Sequence, residues 1–95
     1  MKIVKLKSKE EILQLPGWYI DEEGKIMNNE RDVHIPIEMF IYLDKLVLLV
    51  PYGGDSYRIA DQSLTPEHRK IGYQWEILPE FAEKKNIEDY PEYLI

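Results

Sequence analysis

The chain contains no cysteine. Disulfides, thiolate metal sites and cysteine nucleophiles are thereby excluded, and a small domain that does without them suits a reducing compartment. Histidine is nearly as scarce, with only His34 and His68. A metal site would have to join them to a carboxylate such as Asp32 or Glu67, and no short ligand spacing does so. Both therefore read as exposed loop residues, with no metal. Ser8, Ser56 and Ser63 lack the glycine-flanked elbow of a hydrolytic nucleophile. Long apolar runs are missing too. "KLVLLVPY" is far too short to cross a bilayer, and no signal-peptide core follows the N-terminal lysines. The expectation is a soluble intracellular protein that is not an enzyme, uses no cofactor and touches no membrane.

What is present is enough for one modest core. The 95 residues are 44% hydrophobic and 12% aromatic, ordinary for a globule and too apolar for a disordered chain. Residues 1–95 read as a single domain, with no repeat or linker. The net charge of −6 repels phosphates and argues against nucleic acid as a partner, while suiting basic ones. The charge is uneven: Lys2, Lys5, Lys7 and Lys9 open the chain, whereas six acids from Glu76 onward face only Lys84 and Lys85.

Patterning divides the chain into short elements. "MKIVKLKS" alternates as a strand with one wet face. In "SKEEILQLPGW", Ser8 and Glu11 form a capping-box pattern, and a helix of about two turns should run to Pro16-Gly17. "WYIDEEGKIMN" predicts a hairpin with Gly24 at positive φ. Pro36 should open a short helix that buries Ile37, Phe40, Ile41 and Leu43. Asp44-Lys45 turns the chain into Leu46–Val50, the most apolar stretch and the expected central strand. "PYGGDS" is a turn, "YRIAD" a strand, "QSLTPEHRK" a polar loop, "IGYQWEI" the last strand and "LPEFAEKK" a helical turn. Residues 82–95 form a tail with Ile87, Tyr90, Tyr93, Leu94 and Ile95 that docks on the body or on a second subunit, making a homodimer. The sum is a mainly β (α+β) fold of five to six short strands and two short helices, in a strongly bent antiparallel sheet or barrel. At this length a barrel is the simplest way to remove sheet edges.

The stretches "PGWYIDEEGKIMN", "IPIEMFIYLDKLVLLV", "SYRIAD" and "YQWEILPEF" carry a resemblance. Their order over roughly residues 8–81 resembles small bacteriophage- and prophage-encoded proteins. In that group a P-E-M turn precedes a strand G-K-x-V-x-V, then Y-x-I, then a closing W-x-W-x-x-x-M-F. Asp44 departs from it by replacing Gly, and Tyr73 by replacing Trp. The resemblance implies an SH3-like β-barrel and a phage accessory protein in the cytoplasm of the bacterial host. It supplies no catalytic residue.

Candidate binding residues follow from side-chain type. Tyr73 and Trp75, two apart, share one face of a strand. Trp75 reads as core, because burying such a ring contributes roughly 2–3 kcal/mol. Tyr73, whose hydroxyl suits a rim, joins Tyr52 and Tyr57 in an aromatic groove for an extended peptide, with Arg58 beside them. The expected function is non-enzymatic: recognition of a host protein through an aromatic barrel face. The alternatives are an oligomer that sequesters a signalling nucleotide with Arg58, Arg69 and Lys70, and a virion or assembly component. The acidic tail from Glu76 to Glu92 could also imitate nucleic acid, which a charge of only −6 with interspersed lysines disfavours.

Overall fold

The computed structural model describes residues 2–93. Among them seven strands form two open antiparallel sheets instead of one closed barrel. The larger has the order β6-β5-β1-β7, built from β1 (Lys2–Leu6), β5 (Leu46–Gly53), β6 (Ser56–Ile59) and β7 (Ala82–Lys84). The smaller has the order β2-β3-β4, from β2 (Trp18–Ile20), β3 (Ile26–Asn28) and β4 (His34–Ile35). Two short helices, α1 (Lys9–Leu13) and α2 (Pro66–Ile71), and five 3-10 turns complete the chain.

Strand β5 explains its own sequence. It lies between β1 and β6 and is covered on both faces, so it reads as an unbroken apolar run. Val47 and Leu49 join Val4, Leu6 and Ile59 on the inner face, above a core that includes Trp18, Ile26, Ile35, Met39, Ile77 and Phe81. On the outer face Leu48 clusters with Ile3 and Ala60, and Ile87, Tyr90 and Tyr93 pack over them. The C-terminal segment therefore lies on its own sheet as far as Tyr93. Leu94 and Ile95, also assigned to the docking tail, are outside the described residues.

Local chemistry sets the turns. Ser8 caps α1 reciprocally: its hydroxyl accepts from the Glu11 N–H at 3.2 Å, and the Glu11 carboxylate accepts from the Ser8 N–H at 3.1 Å. In the β2–β3 turn the Asp21 carboxylate accepts from the N–H groups of Glu23 and Lys25, while Gly24 takes φ 89°. Asp44 is the only non-glycine residue with positive φ among those described, at 65°. Its N–H donates to the Leu6 carbonyl at 2.9 Å and its carboxylate pairs with Lys5 at 3.0 Å.

Several expectations are corrected. The segment after Pro36 is a 3-10 turn over Ile37–Tyr42, not an α-helix. With three residues per turn, Met39 and Tyr42 share the inner side, leaving Ile37 and Ile41 50% and 54% exposed. The "polar loop" contains α2, capped by Thr65, opened by Pro66 and ended by Gly72 at φ 73°. Pro79–Phe81 forms the turn expected there, but Ala82–Lys84 then becomes β7, pairing with β1. The SH3-like barrel is overturned at its supposed closing strand. Residues 73–76 make no ladder, and the segment's backbone pairs with β6 only at a bridge between Ile77 and Tyr57. Because α2 consumes the residues before it, too little extended chain remains to join the two sheets.

Candidate functional site

Helix α2 and the extended segment that follows it assemble the main aromatic cluster. Thr65 caps the helix through its hydroxyl, which accepts from the His68 N–H at 3.2 Å. Capping places His68 one turn in, beside Tyr42 from the 3-10 turn. The buried Tyr42 hydroxyl accepts from the Thr65 N–H at 2.9 Å and lies 2.7 Å from His68 Nδ1. The phenol and the imidazole share one hydrogen bond, in which the phenol donates when the imidazole carries its hydrogen on Nε2 and accepts when it carries it on Nδ1.

Gly72 then reverses the chain, and Tyr73 and Trp75 lie over His68. Their rings stack at 4.1 Å with an interplanar angle of 20°. His68 meets both edge-on, at 4.7 Å from Tyr73 and 5.2 Å from Trp75, and Tyr42 lies 5.9 Å from Trp75. These spacings are those of rings in mutual contact. The cluster is a packed pier with no cage at its centre, so a ligand can meet only its outer side.

That outer side borders a groove of about 240 Å³. Asp32, Val33, His34 and Pro36 form one wall, and Gln74, Trp75 and Glu76 the other. The Asn28 carboxamide oxygen accepts from the N–H groups of Glu30 and Arg31, and the Arg31 guanidinium pairs with Glu80. These bonds order the first half of the loop between β3 and β4. On the opposite wall the Glu76 carboxylate accepts from the buried Ser56 hydroxyl. The groove therefore has one aromatic plate and two acidic residues.

The four residues singled out from sequence do not share a surface. Tyr73 is half-buried in the cluster. Tyr57 is half-buried on the inner side of β6, where its hydroxyl accepts from Lys2 Nζ at 2.6 Å. Arg58, adjacent on the strand, points to the other face and stands 3.8 Å from Asp61. Tyr52 is 48% exposed on the β5–β6 hairpin. Among the described residues neither Tyr52, Tyr57 nor Arg58 joins the ring contacts of Tyr73. The arginines assigned to a nucleotide trap are engaged internally, Arg58 with Asp61 and Arg69 through bonds to the carbonyls of Asp61 and Leu64.

Trp75, expected in the core, is half-buried at the groove. The core tryptophan is Trp18, edge-on to Phe81 at 4.9 Å. His34 is exposed as expected, though it lies in β4 and not in a loop, and His68, on α2, is a built-in part of the cluster. The signal for it was Thr65-Pro66 with Gly72 seven residues after the cap, the start and stop of a short helix. No group of three or more His, Cys, Asp or Glu residues that could hold a metal occurs among the described residues. Nor is any described helix long and apolar enough to cross a membrane.

The chain matches no protein-family model, no curated protein and no solved structure. The resemblance to phage proteins therefore has no support, and with the barrel absent its corollaries fall as well: an SH3-like fold, a phage origin and host recognition through a barrel face.

Proposed function

We propose that the protein is a non-catalytic recognition module that takes an extended, basic segment of a partner protein into the groove between β4 and residues 74–76. The observation that carries this reading is unpaired backbone on both walls. β4 is the last strand of its sheet, with β3 on one side only. Across the groove, Gln74, Trp75 and Glu76 make no backbone hydrogen bond among the described residues. The positions on either side do: Tyr73 donates to His68, and Ile77 exchanges two bonds with Tyr57. Free N–H and C=O groups along an edge are what an added strand pairs with.

The side chains select the occupant. Trp75, held against Tyr73, is a rigid aromatic anchor of the kind that dominates binding interfaces. Asp32 and Glu76 contribute negative charge, and His34 is the only groove-lining side chain able to carry positive charge. Charge complementarity then favours lysine or arginine in the bound segment.

The test is selection from a library of short random peptides, followed by amide-shift mapping of the best binders. Expected are extended sequences rich in lysine and arginine, with shifts at residues 32–36 and 74–76. Replacing Trp75 with alanine should weaken them roughly thirtyfold, as for an interface hot spot. Binders enriched in acidic residues, or mapping to the Tyr52 hairpin, would refute the proposal.

A further inference from the structure

A second cavity, of about 190 Å³, opens on the inner side of the four-stranded sheet and is separate in its lining from the groove. It is lined by Val4 and Leu49, both almost fully buried at its base, by Pro79 and Ala82, and by Lys2, Lys84 and Tyr57. The strand register accounts for this. Lys84 is the partner of Val4 across the β1–β7 pair, and Lys2, two residues before Val4, faces the same way. Two lysine side chains therefore leave the sheet on the side that Val4 faces.

The polar groups are arranged as donors. Lys2 Nζ donates to the Tyr57 hydroxyl oxygen at 2.6 Å and lies 4.7 Å from the ring centroid. The phenol thus accepts from Lys2 and keeps its own O–H to give, while Lys2 retains two further N–H groups. No acidic residue lines the cavity. The nearest acids in sequence are engaged elsewhere, Glu80 with Arg31 and Glu83 with Lys85. Among the described residues neither Lys2 nor Lys84 forms an ion pair, although acids outnumber bases 18 to 12 in the chain.

We propose that this cavity binds a small apolar carboxylate. The carboxylate receives charge-assisted hydrogen bonds from Lys2 and Lys84 and a third from the Tyr57 O–H. The body rests on Val4, Leu49, Pro79 and Ala82. A cavity of about 150 Å³ accepts a benzene ring, so the space suits a single ring or a short branched chain.

The experiment titrates the full chain with phenylacetate and follows backbone amide shifts. Acetate serves as the charge-only control and benzyl alcohol as the control for the ring alone. Saturable shifts at Val4, Leu49, Tyr57 and Ala82 are expected with phenylacetate, and much weaker ones with either control. Lys2→Gln and Lys84→Gln alter exposed side chains and should fold normally, yet each should weaken phenylacetate about tenfold. Trp75→Ala should leave the affinity unchanged, which separates this site from the peptide groove. The proposal is overturned if phenylacetate shifts nothing or other residues, if acetate binds equally well, or if both lysine variants bind like the parent.

Discussion

Replacing Tyr42 with phenylalanine tests whether the aromatic cluster rests on one phenol. The side chain is 5% exposed, and the ring itself would stay in contact with His68 and Trp75, at 5.6 and 5.9 Å. Only the hydroxyl is lost, along with its bonds to the Thr65 N–H and His68 Nδ1. Each bond contributes about 1 kcal/mol net, and stranding a half-buried partner adds to the cost. The expected loss is therefore about 2 kcal/mol, or a melting point lower by roughly 10 °C for a domain of this size. Urea titration at neutral pH measures it, with an unchanged slope showing that the folded state remains as compact. A double-mutant cycle with His68→Ala should show coupling of about 1 kcal/mol, since the two side chains share a bond. A variant within about 0.5 kcal/mol of the parent, or strict additivity with His68→Ala, would refute the assignment of the phenol as the cluster's support.

Two further outcomes follow from the core and the first helix. The indole Nε1 of Trp18 is buried with no acceptor, so Trp18→Phe discards a stranded donor and should cost about 1 kcal/mol or less, against about 3–5 kcal/mol for Trp18→Ala. Thermal melts that rank the two equally would show that the N–H matters more than the ring. The Glu11 carboxyl is held below its ordinary 4.5 by the Ser8 N–H, then by the Ser8 hydroxyl. A depressed carboxyl contributes stability above its unfolded pKa and loses it as pH falls through the folded one. The stability gap between the parent and Glu11→Ala should thus be constant near neutrality and close below pH 4.5. A gap that stays the same into strong acid would contradict the capping role.

Short-range chemistry was legible from the residues, and partner choice was not. The Ser8–Glu11 box, the Asp21–Gly24 turn and the doubly covered run at Leu46–Val50 each depend on neighbours within a few positions or on a single apolar pattern. The alternation that put Tyr73 and Trp75 on one side is visible in their stack. Tyr42 and His68, the other half of the cluster, lie 26 residues apart, and no local pattern joins them. The 3-10 turn after Pro36 was hidden for another reason. Apolar residues at 37, 39, 40, 41, 42 and 43 fit either period, and only packing decides which of them turn inward. Barrel closure failed likewise, because a short apolar strand announces that it is buried but not which edge it pairs with.

The same ambiguity bears on the proposed groove. An open pair of sheets has edges, and each must be paired, covered or made unattractive to other chains. In this fold β7 ends its sheet with Lys84 followed by Lys85, charges that discourage a passing strand. At the other end of that sheet, β6 is met by the Ile77 bridge. In the smaller sheet α1 packs against β2. β4 has neither a bridge nor a helix on its free side; it is two residues long and ends at Pro36, and what it faces across the groove is Trp75 and a second length of unpaired backbone. The first half of the loop before it is ordered by the Asn28 carboxamide and the Arg31–Glu80 pair. In the proposed binding mode, that local order would lower the entropy lost when a strand is added, which is how preorganisation strengthens binding in a small groove.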